Sequence, residues 1–184
     1  AAASASSPTR PKPKGAVFSF GDGMSVLTDR IAANVTVRYN VSNARPGEAP
    51  VTVLTVPAYR AAEILQGQCS DVARLLGQVR YAPMVIAATS VPEHSFKQPL
   101  RGFGFLTPRD QGLHLLGTLF SSTLFPDRAP EGQVLLTSFI GGAFEPEVFD
   151  WPDERVWEIV TSELKRVFDI STLPEPVALF RHRN

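Results

Sequence analysis

Four short apolar segments, MVIAATSV, GFGFLTP, LHLLGTLFSS and QVLLTSFIGG, follow Pro83 in close succession, separated by turn residues such as Pro108, Asp110, Pro126 and Gly132. Each is strand-like in length and rich in β-branched, aromatic or leucine side chains, so this part of the chain is constrained to an antiparallel sheet. Asp150 or Asp153 then caps a helix that carries Val156, Ile159, Val160, Leu164, Val167 and Phe168 as one apolar stripe. VALFRHRN reads as a further strand, and an apolar strand at a terminus belongs to a sheet that continues. The expected class is α+β, a mostly antiparallel sheet with flanking helices.

Upstream the pattern is more broken. The opening AAASASSPTRPKPKG is small, basic and proline-rich without periodicity, the composition of a flexible arm. Helical spacing begins at Gly23, with Met24, Leu27 and Ile31 on one side. VTVRYNV (35 to 41) alternates as a strand, and VTVLTVPA (51 to 58) is a β-branched run of the kind buried on both faces. Helices are expected from Tyr59 to Leu65 and from Ser70 onward through Leu76 and Val79. The chain thus divides into an arm over 1–14, helix and strand segments over 15–80, and a sheet region over 81–184 that ends in a helix and strand. It shows no internal repeat.

Composition narrows the function classes. Lys plus Arg total 18 and Asp plus Glu total 18, which removes the global electrostatic case for a nucleic-acid or membrane-surface protein. Cys69 is the only cysteine, so no intrachain disulfide and no cysteine-based metal cluster can form, and a reducing cytoplasm is the expected compartment. No apolar run approaches the roughly 20 residues needed to cross a bilayer, so membrane contact is expected to be peripheral at most.

The usual carriers of chemistry are missing. His94, His114 and His182 lie far apart without a second ligand at helical or hairpin spacing, so no metal site is expected. His114 reads as a strand histidine that is satisfied or exposed. Cys69 has no neighbouring histidine and there is no Gly-x-Ser-x-Gly elbow, so no nucleophile or other catalytic residue is assigned. The carboxylates Glu145, Glu147, Asp150, Asp153 and Glu154 read as a solvated run. FGDGM (20 to 24) lacks the spacing of a phosphate loop and reads as a tight turn before a helix.

What remains is apolar. Phe103, Phe105, Leu106, Leu119, Phe120, Phe125 and Phe139 fall on strands or their ends, interrupted by Gly102, Gly104, Gly117, Gly141 and Gly142. Strand glycines mark a bulge or the close approach of something flat to the backbone, which a planar ligand would fit. Two readings follow: a sheet core, or a wall against which a planar hydrophobic ligand lies.

The segments RPKPKGAVFSFGDGMSVL, TVPAYRAAEIL, RGFGFLTPRDQG, LGTLFSSTLFPDRAPEGQVLL and SFIGGAF carry a family likeness. From about Arg10 to Asn184 the chain resembles the oxygen-dependent protoporphyrinogen oxidases, FAD flavoproteins of haem biosynthesis with an amine-oxidase-like fold. The resemblance implies that this is the middle, substrate-binding portion of such an enzyme. It implies FAD as cofactor and a protoporphyrinogen or related tetrapyrrole as ligand. Leu106 and Leu119 would sandwich one pyrrole ring, Phe139 would stack on another, and Gly102 with Phe103 would line the same wall. Val41 matches a position whose backbone touches the adenine side of FAD.

Departures from the family pattern qualify these expectations. The strand, Gly-x-Gly-x-x-Gly turn and helix that cradle the FAD pyrophosphate are not in this sequence, nor are the glycine-rich segment that closes over the flavin and the propionate-binding arginine. Gly21-Asp22-Gly23 stands where Arg-Gly-Gly is expected, and RPGEAP is shorter than the family's hairpin. The isolated chain is therefore expected to be inactive and to lack bound FAD. The alternative from another class is a non-catalytic tetrapyrrole-binding module, or a fragment that works with a flavin-domain partner chain or by self-association.

Overall fold

The computed structural model describes residues 19–41, 47, 49–125 and 127–182; the arm expected over 1–14 lies outside them. The described residues up to Val37 form one compact unit and those from Arg38 onward a second. In the first, a turn closed by the Gly23 N–H on the Phe20 carbonyl (3.0 Å) leads into helix α1 (Ser25–Ala32), as FGDGM suggests. Leu27 and Ile31 lie on it and Met24 occupies its cap position, and all three are exposed.

Two expected strands do not form. Residues 35–41 and 51–56 take no strand pairing; Val35 and Val37 are exposed, and Val51 and Val53 are exposed instead of buried on two faces. A β-branched run becomes a strand only beside another strand that satisfies its N–H and C=O groups, and among the described residues none pairs with these. Helices α2 (Ala58–Leu65) and α3 (Ser70–Leu76) form and pack on each other, but α3 ends at the Gly77 cap and does not reach Val79.

The sheet region matches its reading closely. Strands β1 (Met84–Pro92), β2 (Gly104–Leu106), β3 (Leu115–Phe120), β4 (Gln133–Gly141) and β5 (Glu175–His182) form one antiparallel sheet in the order β2-β3-β4-β1-β5. A single helical turn, α4 (Ser121–Leu124), follows β3, and helix α5 (Asp153–Phe168) precedes β5. Asp153 is the first helical residue and Pro152 occupies the cap position, so neither aspartate caps α5 through its side chain. The Asp153 carboxylate instead accepts from Arg181 on β5, whose guanidinium also donates to the carbonyls of Phe149 and Trp151. At the other end Asp169 takes a left-handed conformation (φ 51°), and the hydrogen bond from Lys97 holds its carboxyl below the ordinary carboxylate range.

Strict alternation divides the sheet into two faces. Val85, Ala87, Thr89 and Val91 of β1 and Val134, Leu136, Ser138 and Ile140 of β4 are buried, and with Val148 and Val156, Val160 and Leu164 of α5 they form the core. Inside it the Thr118 and Ser138 hydroxyls bond each other at 2.9 Å, which satisfies two buried polar groups across the β3–β4 pair. Phe105, Phe120 and Phe168 pack ring to ring on this same side, with centroids 5.8 to 6.5 Å apart. The intervening residues point to the opposite face, which α5 does not cover.

Two devices hold β2 and β3 in place. The Glu163 carboxylate on α5 accepts the N–H groups of His114 and Leu115, each at 2.9 Å, and so binds the start of β3 to the helix. Gly104 and Gly117 let β2 come close to β3: a Cβ on Gly104 would stand 2.0 Å from the Thr118 carbonyl oxygen, and one on Gly117 would stand 2.6 Å from that of Phe105. The close approach at Gly104 and Gly117 is therefore of strand to strand, not of the flat ligand expected there.

Both devices can be tested by chemical denaturation. Glu163→Gln should cost about 1 to 3 kcal/mol, the range for hydrogen bonds to a charged group, while Glu158→Gln on the exposed side of α5 should stay within about 0.5 kcal/mol. Gly104→Ala should cost about 1 to 3 kcal/mol by overpacking against backbone, and amide exchange should quicken in β2 before the other strands.

Candidate functional site

The uncovered face carries a continuous apolar row. Register places Leu106 of β2 opposite Gly117 of β3, Gly117 opposite Phe139 of β4, Phe139 opposite Ile86 of β1, and Ile86 opposite Phe180 of β5. One line of apolar residues thus crosses all five strands. Leu106 is 87% exposed and Phe180 55%, values that leave large apolar side chains without a packing partner on this side.

A recess of about 220 Å³ opens at the β2 end of the row, lined by Met84, Leu106, Leu116, Gly117, Leu119 and Phe139 among others. Three residues expected to touch a planar ligand, Leu106, Leu119 and Phe139, therefore meet at one place. Gly102 and Phe103 stand just outside it in the turn before β2, where Gly102 has φ +90° and Phe103 is 58% exposed. Val41 is exposed in an irregular segment and does not line the recess. The apolar cluster read from the sequence splits by strand alternation, since Phe105 and Phe120 pack on the core side.

A second recess of about 420 Å³ adjoins the first and shares Met84 and Leu116 with it. The join is made by a β-bulge: the β3–β4 register shifts between Leu115 and Gly117, so Leu116 is an extra residue aimed at both cavities. This second recess is lined in part by Leu113, His114, Ala143, Phe144 and Glu145, with Arg109 at its edge. The Arg109 guanidinium lies over the Phe144 ring, 3.6 Å from its centroid. His114, one residue before β3, has Nδ1 3.0 Å from Glu145 Oε2 and its ring edge-on to Trp151. Glu145 is thus a partnered group within the carboxylate run, and His114 is satisfied. The pairing spans 31 residues of sequence and leaves no local pattern by which it could be read.

Among the described residues no cluster of three or more metal-ligating side chains is present, and no helix is long and apolar enough to cross a membrane. The site presents an apolar wall and, in the adjoining recess, the Arg109 cation and the His114–Glu145 pair.

Comparison with known proteins bears on the fold and the family. The chain is 32% identical to the chloroplastic protoporphyrinogen oxidase of Nicotiana tabacum over 94% of its own length and 37% of that protein's. It is 33% identical to protoporphyrinogen oxidase 1, chloroplastic, of Spinacia oleracea over 87% of its length and 34% of that protein's. The chain thus spans little more than a third of these relatives. Its fold matches a crystal structure of a protein described as a putative protoporphyrinogen oxidase from Exiguobacterium sp. 255-15, with a TM-score of 0.54 and 17% identity over 70% of this chain and 27% of that one. The family profile of the flavin containing amine oxidoreductases matches residues 14–183, and the chain belongs to that family.

Proposed function

We propose that this chain is the substrate-binding portion of a protoporphyrinogen oxidase, and that its uncovered sheet face is the wall against which the tetrapyrrole lies. The observation that carries this reading is the convergence of Leu106, Leu119 and Phe139 on one apolar recess, in a row that continues through Ile86 to Phe180. A flat macrocycle fits such a wall because it gains dispersion contact over its whole face and asks for no hydrogen bond there. Phe139 sits mid-row for ring stacking, with Leu106 opposite Gly117 and Leu119 two residues further along the same strand face. Gly102 and Phe103 form the rim at the β2 end.

The flavin is another matter. FAD needs backbone N–H groups at a helix N-terminus, entered from a strand, to hold its pyrophosphate. Among the described residues the Gly21 to Gly23 turn enters α1 with no strand before it, and Val41 lies in an irregular, exposed segment. The described residues therefore do not fit the cofactor by themselves. In this reading oxidation depends on a flavin held by other parts of the family's fold, whether in the same chain or a partner. The sheet edges β2 and β5 offer pairing positions for such a partner or a second copy. The lone, exposed Cys69 is consistent with a reducing compartment, with membrane contact at most peripheral.

Two measurements bear on this. After incubation with FAD and gel filtration, the purified chain should elute without a stoichiometric flavin spectrum; co-elution of one flavin per chain would show a cradle in these residues. Protoporphyrin IX, the product and a stable planar probe, should bind and quench tryptophan fluorescence. Phe139→Ala should weaken it about tenfold, or about 1.4 kcal/mol. Since Phe139 is only half-buried, the same change should cost less stability than the roughly 3 to 5 kcal/mol of a core phenylalanine. Unchanged porphyrin affinity in Leu106→Ala, Leu119→Ala and Phe139→Ala, with large stability losses in all three, would make the row ordinary core.

A further inference from the structure

We infer that Arg109 is an anchor for a carboxylate of the ligand held on the apolar wall. The inference rests on the substrate-wall reading above and adds to it the polar end of the site. Leu106 and Arg109 are three residues apart, and the chain between them is tied down: the Thr107 N–H donates to the Leu116 carbonyl at 3.0 Å, and Arg166 on α5 donates to the Gln111 carbonyl at 3.2 Å. Because Met84 and Leu116 line both recesses, a planar ligand that fills the smaller one projects its edge into the larger, where Arg109 stands.

The charges there select the sign of what can bind. Arg109 stacks on Phe144, and among the described residues it has no carboxylate within ion-pair distance. Glu145, the acid in the same recess, is taken by His114 at 3.0 Å, and the neighbouring Asp110 carboxylate accepts from Gln111. Stacking fixes the guanidinium plane and leaves its N–H edges free to donate, the arrangement that suits bidentate capture of a carboxylate. A ligand with an apolar plane and an acid-bearing edge would meet the wall with one and Arg109 with the other. An apolar plane without the acid would leave the guanidinium unanswered. Glu145 disfavours an acid placed deeper in the recess, so the carboxylate is directed to the Arg109 side.

The test compares protoporphyrin IX with its dimethyl ester, which keeps the macrocycle and removes both negative charges. The wild-type chain should bind the diacid about tenfold more tightly than the diester, and added salt should shrink the ratio because Arg109 is exposed. Arg109→Met, which keeps an apolar stem on Phe144, should bring the ratio to about one by weakening the diacid alone. Arg109→Lys should retain part of the preference. Equal wild-type affinities for acid and ester, or a preference that survives in Arg109→Met, would overturn the anchor while leaving the apolar wall standing. If neither porphyrin binds the wild-type chain, the wall and the anchor fall together.

Discussion

A single amphipathic helix lies against a five-stranded sheet, and a sheet has two faces. Helix α5 supplies Val156, Val160 and Leu164 to one of them, and every fully buried side chain of β1 and β4 points that way. The other face receives the alternate residues whether or not anything covers them. If those residues were serine, threonine and lysine, the domain would be complete as an ordinary one-sided sheet. Instead the row holds Leu106, Phe139, Ile86 and Phe180. That choice costs solubility and contributes nothing to the core beneath, so it makes physical sense only as a surface that meets something apolar.

The width of the wall depends on β2, the shortest strand and an edge. Three residues cannot hold an edge by ladder bonds alone. The glycines at 104 and 117 add closeness, and the Phe120 N–H to Phe103 carbonyl bond (2.9 Å) and the Thr107 N–H to Leu116 carbonyl bond extend the pairing beyond the strand at both ends. Leu106 can then be almost fully exposed and still be held in position. Placement by backbone rather than by side-chain packing leaves its whole surface available to a ligand.

Much of this was legible in the sequence, and the failures have physical causes. Strands β1 and β4 and helix α5 announce themselves because each carries its own period over nine or more residues. The runs at 35–41 and 51–58 carry the same kind of signal, yet a strand is a relation between two segments, and one segment cannot show whether its partner is present. The glycines pointed to a flat ligand, whereas Gly104 and Gly117 make room for a neighbouring strand, a difference that composition does not carry. Family resemblance drew Leu106, Leu119 and Phe139 together, and the strand register shows them sharing a face. The contacts from Glu163 to the start of β3 and from His114 to Glu145 join residues 49, 48 and 31 positions apart, and no local rule reaches that far.

Those same long-range contacts bear on how the two recesses stay aligned. The bulge at Leu116 is the hinge between them, and bulged backbone has fewer ladder bonds to resist slipping. Glu163 grips the two amides just before it, Glu145 holds the His114 ring beside it, and Arg166 holds the turn that carries Arg109. Glu163 and Arg166 both come from the last half of α5, one turn apart. The helix that buries the core therefore also sets, from behind the sheet, the spacing between the apolar wall and the cation at its edge. A change that shifts the end of α5 would move Arg109 relative to Leu106 without touching either, and would alter the handling of charged ligands before it altered the handling of uncharged ones.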